Sequence, residues 1–201
     1  MAEKRNMRIV AVGDELVAGS GDSRALGWLG RVIARTPRKN PRVDVFELAM
    51  PEEGTAGLVE RWEKEATPRY NDLTDNRLII GLGLEDIRQD LSLARSRLNL
   101  ANILDQATSK SIIPLVVGPP PTTDTVTNKK IAEYSRVLGD VAARRNVLYI
   151  DMFTPLVNHE QWRTDLAAGK GLPGQAGYGL MAWLVLHRGW YQWMGMPEPT
   201  Q

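Results

Sequence analysis

The sequence predicts an α/β fold, one three-layer α/β/α sandwich built around a five-stranded parallel sheet. Three observations predict it. Five short runs rich in Val, Ile and Leu alternate with longer segments of helical periodicity, and a parallel sheet covered on both faces requires such near-continuous apolar strands separated by helices. The chain has 201 residues, and domains run roughly 100–200 residues, so residues 1–201 read as a single domain. Apolar residues at 43% and charged residues at 24% exclude a disordered or collagen-like chain.

The elements follow in order. The first strand falls at residues 8–12, where Ile9-Val10-Ala11-Val12 is unbroken. A helix over residues 26–34 leads to a second strand at 43–48, and the third strand occupies 77–83. After it, Leu91, Ala94, Leu98, Ala101 and Leu104 recur at spacings of three and four, which places them on one helical face. Arg95, Arg97, Asn99 and Asp105 then face outward. The fourth strand, 112–118, ends at Pro119-Pro120-Pro121, because proline has no amide to donate and restricts the residue before it. Ile131, Tyr134, Leu138 and Val141 repeat the helical spacing before a fifth strand at 147–151. The final helix, 175–193, is apolar almost all round and is expected to be the most buried, with His187 a core histidine.

Composition narrows the partners. Lys and Arg total 25 against 24 Asp and Glu, a net charge of +1, so nothing in the total calls for nucleic acid or an anionic membrane. There is no cysteine, which excludes disulfides and thiol catalysis and fits a reducing compartment. No apolar run approaches the roughly 20 residues that span a bilayer. The opening Met-Ala-Glu-Lys-Arg-Asn-Met carries no cleavage pattern, and a cytoplasmic location is expected.

In open parallel sheets, ligands bind beyond the carboxyl ends of the strands, and four stretches lie there. The first strand runs into Gly13-Asp14-Glu15-Leu16-Val17-Ala18-Gly19. Glu53-Gly54-Thr55 follows the second strand, Gly83-Leu84-Glu85-Asp86 the third, and Pro173-Gly174-Gln175-Ala176-Gly177-Tyr178 leads into the final helix. In order and separation these resemble the blocks of the SGNH (GDSL) hydrolase family of esterases and lipases. The resemblance implies that family's flavodoxin-like fold and a site at these loops. It places Glu15 at the serine nucleophile position, Gly54 at an oxyanion glycine and Glu85 at the oxyanion asparagine. Counting back from Pro173, Leu172 takes the histidine position and Gly169 that of its aspartate partner.

Serine catalysis needs a hydroxyl, an imidazole and donors aimed at the oxyanion, and only the glycine survives at these positions. Neither histidine rescues the motif, since Leu156 and Leu184 stand three residues before His159 and His187. A second Gly21-Asp22-Ser23 lies in the loop before a helix, where Asp and Ser act as caps. Ordinary serine-esterase activity is not expected, and the chain reads as a small-molecule-binding or scaffolding pseudo-hydrolase.

In place of the triad stands an acidic group of Asp14, Glu15, Glu85 and Asp86. Carboxylates that converge require a raised pKa, a cation or arginines, and Arg163, Lys170 and Arg188 are the expected arginine and lysine candidates. Three readings stay open. Glu15 and Glu85 hold Ca²⁺ or Mg²⁺, although no cofactor is otherwise expected. They act as an acid/base or nucleophile pair, with His159 or a metal, on an ester, glycosyl or phosphoryl substrate. Or they pair with arginines in a site without catalysis, Asp14 and Asp86 being structural caps. Trp28 and Trp162 are candidate binding residues in the crevice. Trp183, Trp190 and Trp193 are expected as core or as an oligomer surface on the final helix. The basic run over residues 35–42 reads as a solvated loop.

Overall fold

In the computed structural model, which describes residues 6–198, five parallel strands are joined by helices on both faces. The opening residues 1–5, read above as a start without a cleavage pattern, lie outside the described residues, as do 199–201. The order along the chain is β1 (Met7–Gly13), α1 (Gly27–Ala34), β2 (Val43–Ala49), α2 (Thr55–Ala66), β3 (Asp75–Gly81), α3 (Glu85–Arg88), α4 (Leu93–Ser109), β4 (Ile113–Val117), α5 (Thr125–Ala143), β5 (Leu148–Ile150), α6 (Phe153–Leu156), α7 (Glu160–Ala168), α8 (Gln175–Val185) and α9 (Tyr191–Trp193). Every predicted strand is present. Side by side the strands run β2-β1-β3-β4-β5.

Alternation along the strands builds two cores. Ile9, Ala11, Ile79 and Leu115 face α1 and α8, while Val10, Val12, Leu78, Ile80 and Val116 face α2, α4 and α5, as a two-residue side-chain period requires. β1 and β3 are in register so that Gly13 lies opposite Gly81. A Cβ on Gly13 would overlap the Gly81 carbonyl, and one on Gly81 would overlap Val17. The loop after β1 can therefore fold down tightly over the end of β3.

Three expectations change. The buried face of α4 is Ser96, Asn99, Leu100, Ile103, Leu104 and Ala107, whereas Leu98 is half exposed. The helix is turned from the apolar reading because two of its polar side chains serve a buried group. The final helix is not continuous: it breaks at Gly189, whose φ of 115° is open to glycine and strained for other residues. A Cβ there would press on Leu148. Trp190 and Trp193 are buried, donating from their indole nitrogens to Thr36 Oγ1 (2.9 Å) and the Pro114 carbonyl (3.0 Å). Trp183 is exposed, and so is His187, which stacks on it at 4.4 Å instead of lying in the core. No helix among the described residues is long and apolar enough to cross a membrane.

The group that α4 serves is Asp86, buried at 2% exposure. Its Oδ1 accepts the Thr55 amide (2.7 Å), and its Oδ2 accepts the hydroxyls of Thr55 (2.7 Å), Ser96 (2.6 Å) and Tyr134 (3.0 Å). Asn99 Nδ2 donates to Thr55 Oγ1 (3.1 Å). One side chain thus ties α3 to α2, α4 and α5 and caps α2. Asp86→Ala strands these buried donors and is expected to lower the unfolding free energy by about 3 kcal/mol or more, against about 1 kcal/mol for Ser96→Ala. Urea titration measures both, and equal small losses would contradict the hub role.

Candidate functional site

The chain leaves β1 toward β2 on one side, and leaves β3 toward β4 on the other, so the carboxyl ends of β1 and β3 flank the switch point where such sheets open a crevice. Asp14 follows Gly13 there, and its Oδ1 accepts the Leu16 amide (3.0 Å), holding the turn. A Cβ on Gly83 would overlap Asp14 Oδ2, so Gly83 makes room for this carboxyl. Burial first and the charge of Glu15 second push the Asp14 pKa up to about 7, against the pull of the Leu16 amide.

Glu15 is fixed by two contacts. Its Oε2 accepts the Glu52 amide (2.9 Å), presented by a left-handed turn with Glu52 at φ 58°. Its Oε1 lies 3.7 Å from Arg88 Nη1, and the same nitrogen lies 3.5 Å from Glu85 Oε2. Gln89 Nε2 donates to Glu85 Oε1 (2.9 Å). A single guanidinium at the end of α3 therefore stands between the two glutamates. Arg163, Lys170 and Arg188, the cations expected here, are not among the residues of this cavity. Arg88 was overlooked, although its place three residues after Glu85 puts both on one face of a turn.

The cavity at this point measures about 40 Å³, with Asp14, Glu15, Arg88, Pro121, Trp162 and Leu172 among its walls. That is room for water-sized groups. Trp162 is buried and donates from Nε1 to the Pro121 carbonyl (3.0 Å). Leu172 lies against Gly21, whose φ of 91° and missing Cβ allow the close approach. Among the described residues no serine, cysteine or histidine lines the cavity.

The remaining candidates lie elsewhere. Trp28 is part of the core between the sheet and α8, which corrects its reading as a crevice residue. Gly54 packs against Asp86, where a Cβ would overlap Oδ1, and is not a wall of the cavity. His159 stands at the amino end of α7 with Nδ1 buried and unpartnered, outside the cavity walls. Gly169 ends α7 and is exposed. The aspartate that organises this segment is Asp165, whose Oδ2 accepts the amides of Gly174 (2.6 Å) and Gly177 (2.8 Å) and so caps α8. Spacings of nine and twelve residues left it without a local sequence signal. Asp22 caps α1 through the amides of Leu26 (3.2 Å) and Gly27 (3.0 Å) and pairs with Arg31. Ser23 Oγ is exposed and accepts from Gln175 Nε2 (2.9 Å). Among the described residues no three His, Cys, Asp or Glu side chains are grouped to hold a metal ion.

A parallel sheet with its crevice at the switch point, closed by an Asp turn after β1 and a Gly-x-x-Asp turn after β3, defines the class. Residues 11–180 match the GDSL-like lipase/acylhydrolase family, and the chain belongs to it. The backbone is similar to that of an acetylxylan esterase from Geobacillus stearothermophilus, with a TM-score of 0.78 over the whole of both chains at 15% identity. It is also similar to a lipase/acylhydrolase from Enterococcus faecalis, with a TM-score of 0.71 over 97% of this chain and 100% of that one at 22% identity. No curated protein matches the sequence.

A carboxyl whose pKa rises on folding holds more protons in the folded state, so between the unfolded value of 3.8 and about 7 stability falls as pH rises. Asp14→Asn keeps an acceptor for the Leu16 amide without this penalty. Its melting temperature is expected to gain on the wild type progressively from pH 5 to pH 8, and a constant difference across that range would contradict the assignment.

Proposed function

We propose that this member of the GDSL-like family carries out no serine hydrolysis at its strand-end crevice and acts as a small-molecule-binding or scaffolding protein. One observation carries the reading: the walls of the crevice at β1 and β3 hold no serine and no histidine, and Glu15 and Leu172 line them instead. The resemblance puts those two at the nucleophile and histidine positions. For the Geobacillus esterase, variants with a serine or a histidine replaced by alanine are described as catalytic mutants. Leucine accepts no proton, and the Glu15 carboxylate is tied to an amide and faces an arginine. Loss of such a triad costs on the order of 10⁶ in rate.

A second reading is favoured by one feature, the Asp14 carboxyl that titrates near neutral pH beside Glu15. A carboxyl that keeps its proton near neutral pH can serve as a general acid beside a second carboxyl. In this reading Asp14 donates a proton and Glu15 accepts one.

Hydrolysis of 4-nitrophenyl acetate separates the two. The proposal expects a rate no higher than that of the denatured protein, unchanged in Ser23→Ala. A kcat/KM of about 10⁴ M⁻¹ s⁻¹ or more, the lower range for enzymes, would overturn it. Such activity, kept by Ser23→Ala and lost in Asp14→Asn and Glu15→Gln, would establish the second reading.

A further inference from the structure

Beside the crevice lies a larger cleft of about 330 Å³, between the amino-terminal half of α5 and the segment that runs from α6 into α7. The two share Thr122, which lines both. We propose that this cleft binds a small organic anion, a phosphate monoester or carboxylate carrying an apolar body, with Lys129 and Arg163 holding the charge.

Charge is the first argument. Lys129 comes from α5 and Arg163 from α7, so the cleft is cationic from both walls, and among the described residues no carboxylate lines it. Neither side chain has an ion-pair partner among the described residues. The contrast with the crevice is chemical: there Arg88 is already shared between Glu15 and Glu85, whereas here two cations stand uncompensated. Arginine offers a planar fork to an oxyanion and lysine a mobile point charge.

The rest of the wall fits the other parts of such a ligand. The hydroxyls of Thr123 and Thr125 carry no hydrogen bond within the described residues and remain open to a ligand oxygen. Phe153 supplies an apolar surface. Thr122 and Asn128 are engaged with each other, Asn128 Oδ1 accepting the Thr122 amide (2.8 Å) and its Nδ2 donating to the Thr122 carbonyl (2.9 Å), so they fix the loop and keep the cleft open. The amino end of α5 adds no free cap, because Asp124 already accepts the Thr127 amide (2.6 Å). The volume lies at the lower end of the range for small-molecule sites.

The inference stands on the cleft's own residues and holds whether or not the crevice hydrolyses esters. The test is calorimetric titration of the full chain with phenyl phosphate, with benzoate as the carboxylate probe and phenol as the uncharged one. Saturable binding of either anion and none of phenol is expected. Lys129→Ala and Arg163→Ala are each expected to weaken it about fivefold, as partly exposed ion pairs do, and the double variant more than tenfold. Both positions are exposed, so unchanged melting temperatures check the fold. No saturation with phenyl phosphate or benzoate up to about 10 mM, equal binding of phenol, or undiminished affinity in the double variant would overturn the proposal.

Discussion

The Asp86 carboxyl is the interaction on which this molecule's working end depends. Placing a polar side chain at 2% exposure is costly unless its acceptor capacity is filled, and four donors fill it. Those donors come from α2, α4 and α5, so satisfying one group aligns three helices over the carboxyl end of the sheet. Gly54 and Thr55 are placed by the same contact, the glycine because any Cβ would meet Asp86. Arg88 lies on the same turn, two residues on, and is delivered to Glu15 by it.

The crevice next to this hub solves a charge problem in two ways at once. Glu15 and Glu85 share a guanidinium, while Asp14, buried beside them, has its ionisation delayed to about pH 7. The arrangement keeps the fold of the GDSL-like family while filling its strand-end crevice with paired carboxyls and a guanidinium. Leu172 and Trp162 occupy the opposite wall. Space and uncompensated positive charge appear instead on the far side of Thr122, between α5 and α7. The two cavities divide what one hydrolase site would combine.

Much of the fold was legible because its signals are local and periodic. β1 reads directly from Ile9-Val10-Ala11-Val12, and the buried stripe of α5 from Ile131, Tyr134, Leu138 and Val141. The face of α4 was not legible, since apolar spacing points to Leu98, while the structure buries Ser96 and Asn99 for a carboxyl outside the helix. The capping aspartates follow the same division: Asp22, close to its helix, carries the cap signal, and Asp165 does not. Glu15, Trp162 and Leu172, expected near one another from motif order, line one crevice. His159, Gly54 and Trp28 do not, because their surroundings are set by tertiary packing that spacing along the chain does not encode. Of the three glycines in the segment read as one helix, Gly177 and Gly179 stay inside α8 and only Gly189 breaks it.

Under the proposed function, no serine in this chain is activated as a nucleophile. Incubation with a fluorophosphonate probe followed by intact-mass measurement tests it most directly, since the probe forms an adduct only where a base has activated a hydroxyl. An unmodified mass is expected after prolonged exposure to excess probe. A stoichiometric adduct on Ser20, Ser23 or any other serine, lost on denaturation before labelling, would contradict it.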